Sequence, residues 1–436
     1  MLTPLEPWSA GKIGQPGRPL KRADLEAYQL DRLRATLDLA RTRSPFYRRH
    51  LAEAPARLEA LAGLARLPFT TAADLRAQPL QFLCVSQDEI QRVVTLDTSG
   101  TTGAPKRLYF TRPDQALTVD FFRVGMSTFT APGDRVLILL PGETPGSVGD
   151  LLGTALRELG AEPIQHGPVR DPGRTLAAAA ESGANVLVGV PAHVLKLVRA
   201  APPGAPRLKL KSALLTTDHV PAAIVRAVEA ASGGTVYNHY GMTEMGLGGG
   251  VDCARRRGYH LREADLLFEV VDPDTGTPLP DGEPGEVVFT TLTRTGMPLI
   301  RYRTGDLGRF LPDACPCGTG LRTLAYITTR LTGRVELGGG SLLTMPALDE
   351  SLFALADVLN FAATIRRGPA RTRLELAIQV RAVTPAAQTA VAEALDKVEA
   401  VRQARATGDL DPPHFTLTTE PVLAPGLAKR ALRVSS

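Results

Sequence analysis

Between residues 112 and 230 the chain alternates short apolar runs with segments of helical spacing. The runs at 134–140, 184–190 and 211–216 have strand length and fall short of a helix. Helical patterning fills 151–159 and 192–200 between them. Strands separated by helices pair in parallel through crossovers, not as hairpins. Apolar runs without alternation also need cover on both faces. The pattern predicts an α/β fold with mostly parallel sheets. Ligands then collect beyond the carboxyl ends of the strands.

Length sets the organisation around that sheet. A chain of 436 residues, 44% of them apolar, is large enough for one big and one small domain. Upstream, Leu25, Leu30, Leu33, Leu37 and Leu39 recur at helical spacing until Ser44-Pro45 interrupts them. Downstream, a helix at 349–356, strands at 361–366 and 373–380 and a long helix at 385–403 predict a small α+β domain. The expected division is a large domain over 1–333 and a small one over 334–436.

Thr95 to Thr111 reads TLDTSGTTGAPKRLYFT. Gly100 and Gly103 let backbone N–H groups close on an anion. Ser99, Thr101 and Thr102 add hydroxyl donors, and Lys106 adds a mobile charge. Apolar VVTL before and LYF after make it a loop between two short strands. Pro105 and Arg107 exclude a Walker A loop. The same residues also fit a polar turn without a ligand.

Two further stretches carry chemistry. Residues 237–244 read YNHYGMTE, with a turn at Gly241 and one carboxylate, Glu244. Residues 301–306 read RYRTGD, which sets Asp306 after a glycine turn, where a carboxylate can accept from two ribose hydroxyls. In that order, SGTTGAPK, YGMTE and RYRTGD resemble the adenylate-forming, AMP-binding superfamily. With SPFYRRHL and LARLPFTTAADLR upstream, the chain resembles its phenylacetate–CoA ligase branch.

The resemblance implies an AMP-forming acid–CoA ligase. A carboxylate attacks the α-phosphate of ATP, pyrophosphate leaves, and the thiol of CoA then takes the acyl group from the adenylate. It implies that Ser99 to Gly103 and Lys106 hold phosphates, Thr101 assisting the chemistry. Tyr240 packs on adenine beside Gly241, Thr243 contacts the nucleotide and Glu244 directs Mg²⁺. Asp218 lies near adenine, Asp306 holds the ribose, and Gly333-Arg334 forms the hinge. The glycines at 338–340 predict a flexible hinge region. The catalytic lysine expected in a GKAKR-like segment meets GLAKR here: Leu427 takes the aligned position and Lys429 follows it. Either Lys429 reaches in by a shifted loop as the catalytic lysine, or the adenylation half-reaction is slow. The alternatives are adenylyl transfer onto an acceptor other than CoA, or a nucleotide-binding homologue with impaired catalysis.

Cys315 and Cys317 form a tight thiol pair, and Cys253 and His260 lie together upstream. Three thiols and one imidazole make a closed tetrahedral set for structural Zn²⁺. A surface thiol pair, an oxidisable disulfide or a core histidine are the other readings. Cys84 reads as core.

Net charge is +5 and spread along the chain, with no basic block to suit nucleic acid. No run approaches the roughly 18 apolar residues a membrane span needs. The amino terminus lacks a signal pattern, and four cysteines make no disulfide framework. The expectation is a cytoplasmic enzyme whose partners are ATP, CoA and a small carboxylic acid. The branch resemblance adds a homodimer.

Overall fold

The computed structural model describes residues 1–96, 105–368, 371–423 and 430–435. The chain separates into two compact units. One comprises Met1–Pro132, Thr144–Gly160 and Asn238–Ile327; the other comprises Gly133–Glu143, Ala161–Tyr237 and Thr328–Ser436.

The second unit holds the parallel sheet that the alternation predicts. Strands run side by side in the order Glu162–Gln165, Arg135–Ile138, Val186–Gly189, Ser212–Leu215. Helices Pro172–Glu181, Pro191–Arg199 and Ala222–Ser232 alternate with them. The strand Val186–Gly189 is buried along its whole length, as cover on both faces requires. Later in this unit, Arg334–Glu336 and Leu342–Thr344 form a hairpin. Its turn takes Gly338, Gly339 and Gly340 to φ of +131°, +55° and +78°. A Cβ on Gly338 would lie 2.3 Å from the Cβ of Asp409. Conformation and close approach therefore demand these glycines, beyond any flexibility they lend.

A four-stranded sheet follows, in the order His414–Thr418, Thr372–Val380, Val358–Arg367, Arg433–Ser435. The single helix expected at 385–403 is two, Pro385–Asp396 and Glu399–Ala406. Val398, at φ −70° and ψ 114°, turns the chain between them and buries its side chain. Burial of one apolar residue outweighs the helical continuity read from sequence. Arg199 donates to the carbonyls of Phe353 (2.8 Å), Leu355 (2.9 Å) and Val358 (2.7 Å). Arg430 pairs with Asp349 and lies 4.6 Å from the ring centres of both Phe353 and Phe361.

In the first unit the helix Arg22–Arg43 stops where Ser44-Pro45 interrupts the pattern. Ser44 Oγ accepts from the Tyr47 amide and starts a new helix, Pro45–His50. Strands Ile90–Leu96 and Lys106–Thr111 pair antiparallel, Leu96 opposite Lys106. These are the two strands expected to flank the glycine-rich loop. Thr111 and Asp114 then form a capping box on the helix Arg112–Met126. Cys84 is buried in this unit, and burial pushes its thiol up to about 12. Three antiparallel strands, Leu266–Val271, Gly285–Thr291 and Tyr302–Gly308, lie side by side. No helix among the described residues is long and apolar enough to cross a membrane.

The strand Tyr302–Gly308 is fastened at its start. Arg301 is 1% exposed and has φ +45°, uncommon for a side-chain-bearing residue. Its guanidinium donates to both oxygens of Glu269 (3.1 and 3.0 Å) and to the carbonyls of Ala65 (3.1 Å) and Leu67 (2.7 Å). It also stacks over Phe69 at 4.0 Å. Thr70 bonds the same strand through the Arg301 carbonyl (3.1 Å) and the Arg303 amide (2.9 Å). The buried Tyr47 hydroxyl accepts from the Ile300 amide at 2.9 Å. The upstream segments SPFYRRHL and LPFTT thus serve to seat RYRTGD. Glu269→Gln leaves a buried guanidinium without a counter-charge. The expected cost is about 3–5 kcal/mol of unfolding free energy, measured by urea denaturation.

Candidate active site

Period-two alternation sets the site. Along Tyr302–Gly308, Tyr302, Thr304 and Asp306 are buried while Arg303 and Gly305 are partly exposed. Tyr302 and Asp306 therefore share one face. Tyr240 closes the strand Thr235–Tyr240, and Glu244 follows in the turn Thr243–Met245. Gly241 lies between them where a Cβ would meet the Leu247 carbonyl oxygen at 2.1 Å. Glycine is the residue that close approach allows.

Two contacts join these elements. The Tyr240 hydroxyl donates to Asp306 Oδ2 at 2.9 Å. Glu244 Oε1 accepts from the Tyr302 hydroxyl at 3.0 Å and from the ammonium of Lys106. Lys106 Nζ also lies 3.5 Å from the Tyr302 hydroxyl. Tyr240, Glu244 and Asp306 are all buried. Burial pushes the Glu244 carboxyl upward, but the Lys106 charge and the donated hydrogen bonds outweigh it and hold the group below its ordinary value. A buried carboxylate thus stays ionised.

Of the residues expected here, Lys106, Tyr240, Gly241, Thr243, Glu244 and Asp306 belong to the first unit. Ser99, Gly100, Thr101, Thr102 and Gly103 lie outside the described residues, as do Leu427 and Lys429. Asp218 belongs to the second unit, just past the strand Ser212–Leu215, and its Oδ1 accepts from the His219 amide at 2.9 Å. Its neighbour Thr217 has φ +75°, an outlier for a β-branched residue. Arg334 is exposed on the hairpin of the same unit, opposite Thr344. His239 is partly buried beside Phe121 and Phe122, and desolvation lowers it to about 4. Tyr302 was not singled out from sequence. Its signal was present: it stands four residues before Asp306 in a strand, hence on the same face.

A second cluster lies in the same unit. Cys253, His260, Cys315 and Cys317 are buried, and their ligand atoms all lie within 4.8 Å of one another. Cys253 Sγ is 3.7 Å from Cys315 Sγ, and Cys317 Sγ is 3.4 Å from His260 Nε2. A tetrahedron with zinc–sulfur bonds of about 2.3 Å has sulfurs roughly 3.8 Å apart, so the donors fit. The Arg255 amide donates to Cys253 Sγ at 3.4 Å, and the Thr319 and Thr3 amides donate to Cys317. His260 Nδ1 lies 3.4 Å from Thr323 Oγ1, which leaves Nε2 facing the sulfurs. Burial lowers the imidazole to about 4, the neutral form that ligates.

The sequence of this chain matches the AMP-binding enzyme family over residues 62–293. The chain belongs to that family. It is 32% identical to a phenylacetate–coenzyme A ligase of Thermus thermophilus, covering 83% of this chain and 82% of the relative. It is 30% identical to the phenylacetate–coenzyme A ligase of Escherichia coli, covering 72% of each. Among solved structures, 2-hydroxyisobutyryl-CoA ligase in its postadenylation state aligns with a TM-score of 0.81 at 23% identity. That alignment covers 95% of this chain and 90% of the ligase, and it establishes the shared fold.

Lys106 is the cation that keeps Glu244 ionised. In Lys106→Met only the Tyr302 hydroxyl and a backbone hydrogen bond still oppose burial, so the carboxyl titrates above its parent value and loses its charge at higher pH. Nucleotide binding that needs the carboxylate then fails as pH falls, from a higher pH than in the parent. Calorimetric ATP titrations from about pH 5 to 8 read that displacement of the acidic limb.

Proposed function

We propose that this AMP-binding enzyme is an AMP-forming acid–CoA ligase that adenylates a carboxylic acid, an aryl acid in the first instance, and passes the acyl group to CoA. The relatives named phenylacetate–coenzyme A ligase support the reaction class. The observation that carries the site is one buried constellation, in which Lys106 and Tyr302 meet Glu244 while Tyr240 meets Asp306.

In this reading Asp306 accepts from ribose hydroxyls and Tyr240 packs on adenine, with Asp218 near the base. Ser99 to Gly103 surround the phosphates. Glu244, already ionised in a dry setting, would hold Mg²⁺, whose charge would neutralise the phosphates of ATP. Lys106 then exchanges its carboxylate partner for a phosphate oxygen. The enzyme needs no nucleophile of its own, because the substrate carboxylate attacks phosphorus; the protein positions groups and offsets charge. Lys429 supplies charge at the reacting carboxyl and phosphate. Residues 334–436 act as a mobile domain about Arg334. The assembly is a homodimer in the cytoplasm.

Pyrophosphate release over a panel of aryl and short-chain acids, with and without CoA, tests the reaction. A thioester from one acid is the expected product. Adenylate without thioester would move the reading to another acceptor, and no turnover would overturn it. Glu244→Gln and Lys429→Ala are each expected to slow adenylation by about 10²-fold or more.

The thiol–imidazole cluster is assigned a structural zinc, held by Cys253, His260, Cys315 and Cys317. The closed set leaves no position for substrate. Metal analysis should find about one zinc per chain. Cys315→Ser should lose it together with thermal stability, and a zinc-free parent would refute the assignment.

A further inference from the structure

The wall behind Tyr240 consists of residues that the proposed reaction does not use. Strand Gly250–Asp252 pairs with Tyr259–Leu261, so that Val251 faces His260 and Asp252 faces Tyr259. On the other side Tyr240 lies opposite Gly250. Alternation therefore places Tyr240, Asp252, Tyr259 and Leu261 on one face of this sheet, and His260 on the opposite face. One face carries a tyrosine cluster; the other carries a ligand of the Cys/His centre.

Tyr240 and Tyr259 sit two strands apart, yet their ring centres are 5.6 Å apart with planes 31° from parallel. The strand between them has Gly250 at that point. A Cβ there would lie 3.0 Å from the Tyr259 Cβ and 2.9 Å from Leu261 Cδ2. Absence of a side chain lets the two rings meet over the middle strand. Tyr259 is braced in turn. Tyr326 packs edge-on against it at 5.2 Å and 75°. The Tyr259 hydroxyl donates to Asn238 Oδ1 at 3.2 Å. Asp252 accepts from the Tyr326 hydroxyl at 2.7 Å and from the Asn238 amide at 2.8 Å. Asp252 directly precedes Cys253, and Tyr259 directly precedes His260.

We propose that Tyr259, braced by Tyr326 and Asp252, is a positioning residue for the nucleotide, and that it links the nucleotide site to the Cys/His centre. It holds the Tyr240 ring where its hydroxyl reaches Asp306. Its own place is set by the backbone that His260 and Cys253 pin on either side. The inference rests on reading Tyr240 and Asp306 as nucleotide-binding groups and the cluster as a metal centre.

The test uses the full-length protein, with zinc quantified by mass spectrometry and ATP affinity measured by calorimetry. In Tyr259→Leu, ATP affinity and KM for ATP are expected to worsen about tenfold, the scale of losing a buried aromatic contact. Zinc content stays at the parent value, and KM for the acid changes less than about twofold. Tyr259→Phe keeps the stack and restores most of the affinity. Gly250→Ala, which leaves every tyrosine in place and wedges the rings apart, is expected to reproduce the Tyr259→Leu effect, and decides the matter if that variant does not fold. Stripping zinc with a chelator should weaken ATP binding in the parent and add nothing in Tyr259→Leu. A folded, zinc-loaded Tyr259→Leu that binds ATP like the parent overturns the positioning role. So does a proportional loss for ATP and acid. Additive effects of chelation and Tyr259→Leu overturn the link to the metal centre. Protein purified without zinc overturns that link too, while the nucleotide titrations still decide the role of Tyr259. Failure of the parent to bind ATP at all refutes the nucleotide reading beneath it.

Discussion

One buried guanidinium governs how the first unit delivers its functional groups. Arg301 enters the interior at a backbone angle few side chains tolerate, and its donors are met by Glu269 and by two carbonyls of the segment before Phe69. An unpaired charge there would cost several kcal/mol, so the pairing admits little movement. The strand that starts at the next residue inherits this fixity. Its alternate positions then carry Tyr302 to Glu244 and Asp306 to Tyr240. The N-terminal segments act through the same anchor. Tyr47 and Thr70 bond the backbone of residues 300–303.

Glu244 shows how a buried charge can be kept ready. Desolvation favours the protonated form, and Lys106 with the Tyr302 hydroxyl reverses that preference. A carboxylate held this way is ionised before any ligand arrives, so a cation bound there, as proposed, would exchange one counter-charge for another. That exchange avoids the larger cost of creating a charge in a dry site. The Cys/His cluster is the reverse case: burial raises the Cys253 and Cys317 thiols, and backbone amides from Arg255, Thr319 and Thr3 offset only part of it.

Parts of the molecule were legible in the sequence for local reasons. Strand–helix alternation fixes parallel pairing, and the strands between 135 and 215 obey it. Ser44 caps a helix with its own side chain, so the interruption at Ser44-Pro45 could be read directly. Lys106, Glu244 and Asp306 stood out because each lies in a short stretch whose glycines and polar residues have few structural uses. The helix at 385–403 was misread as continuous, because burial of Val398 is a tertiary demand that helical periodicity does not encode. The glycines at 338–340 are read from sequence for flexibility; their positive φ values, and the nearness of Asp409 to Gly338 and Gly339, add a conformational demand that sequence does not show.

The sequence by itself determined which residues are chemically equipped, since a thiol, a carboxylate or a phosphate-sized glycine turn is a local property. Tertiary structure decided which of them meet. Cys253 and Cys315 are 62 positions apart and Lys106 and Glu244 are 138 apart, yet each pair is in contact. Such meetings depend on strand register, because one residue of slip turns every side chain to the other face. Register also sets Tyr259 behind Tyr240 and His260 away from it. No spacing along the chain carries that information: it arises when three strands align around a residue that has no side chain.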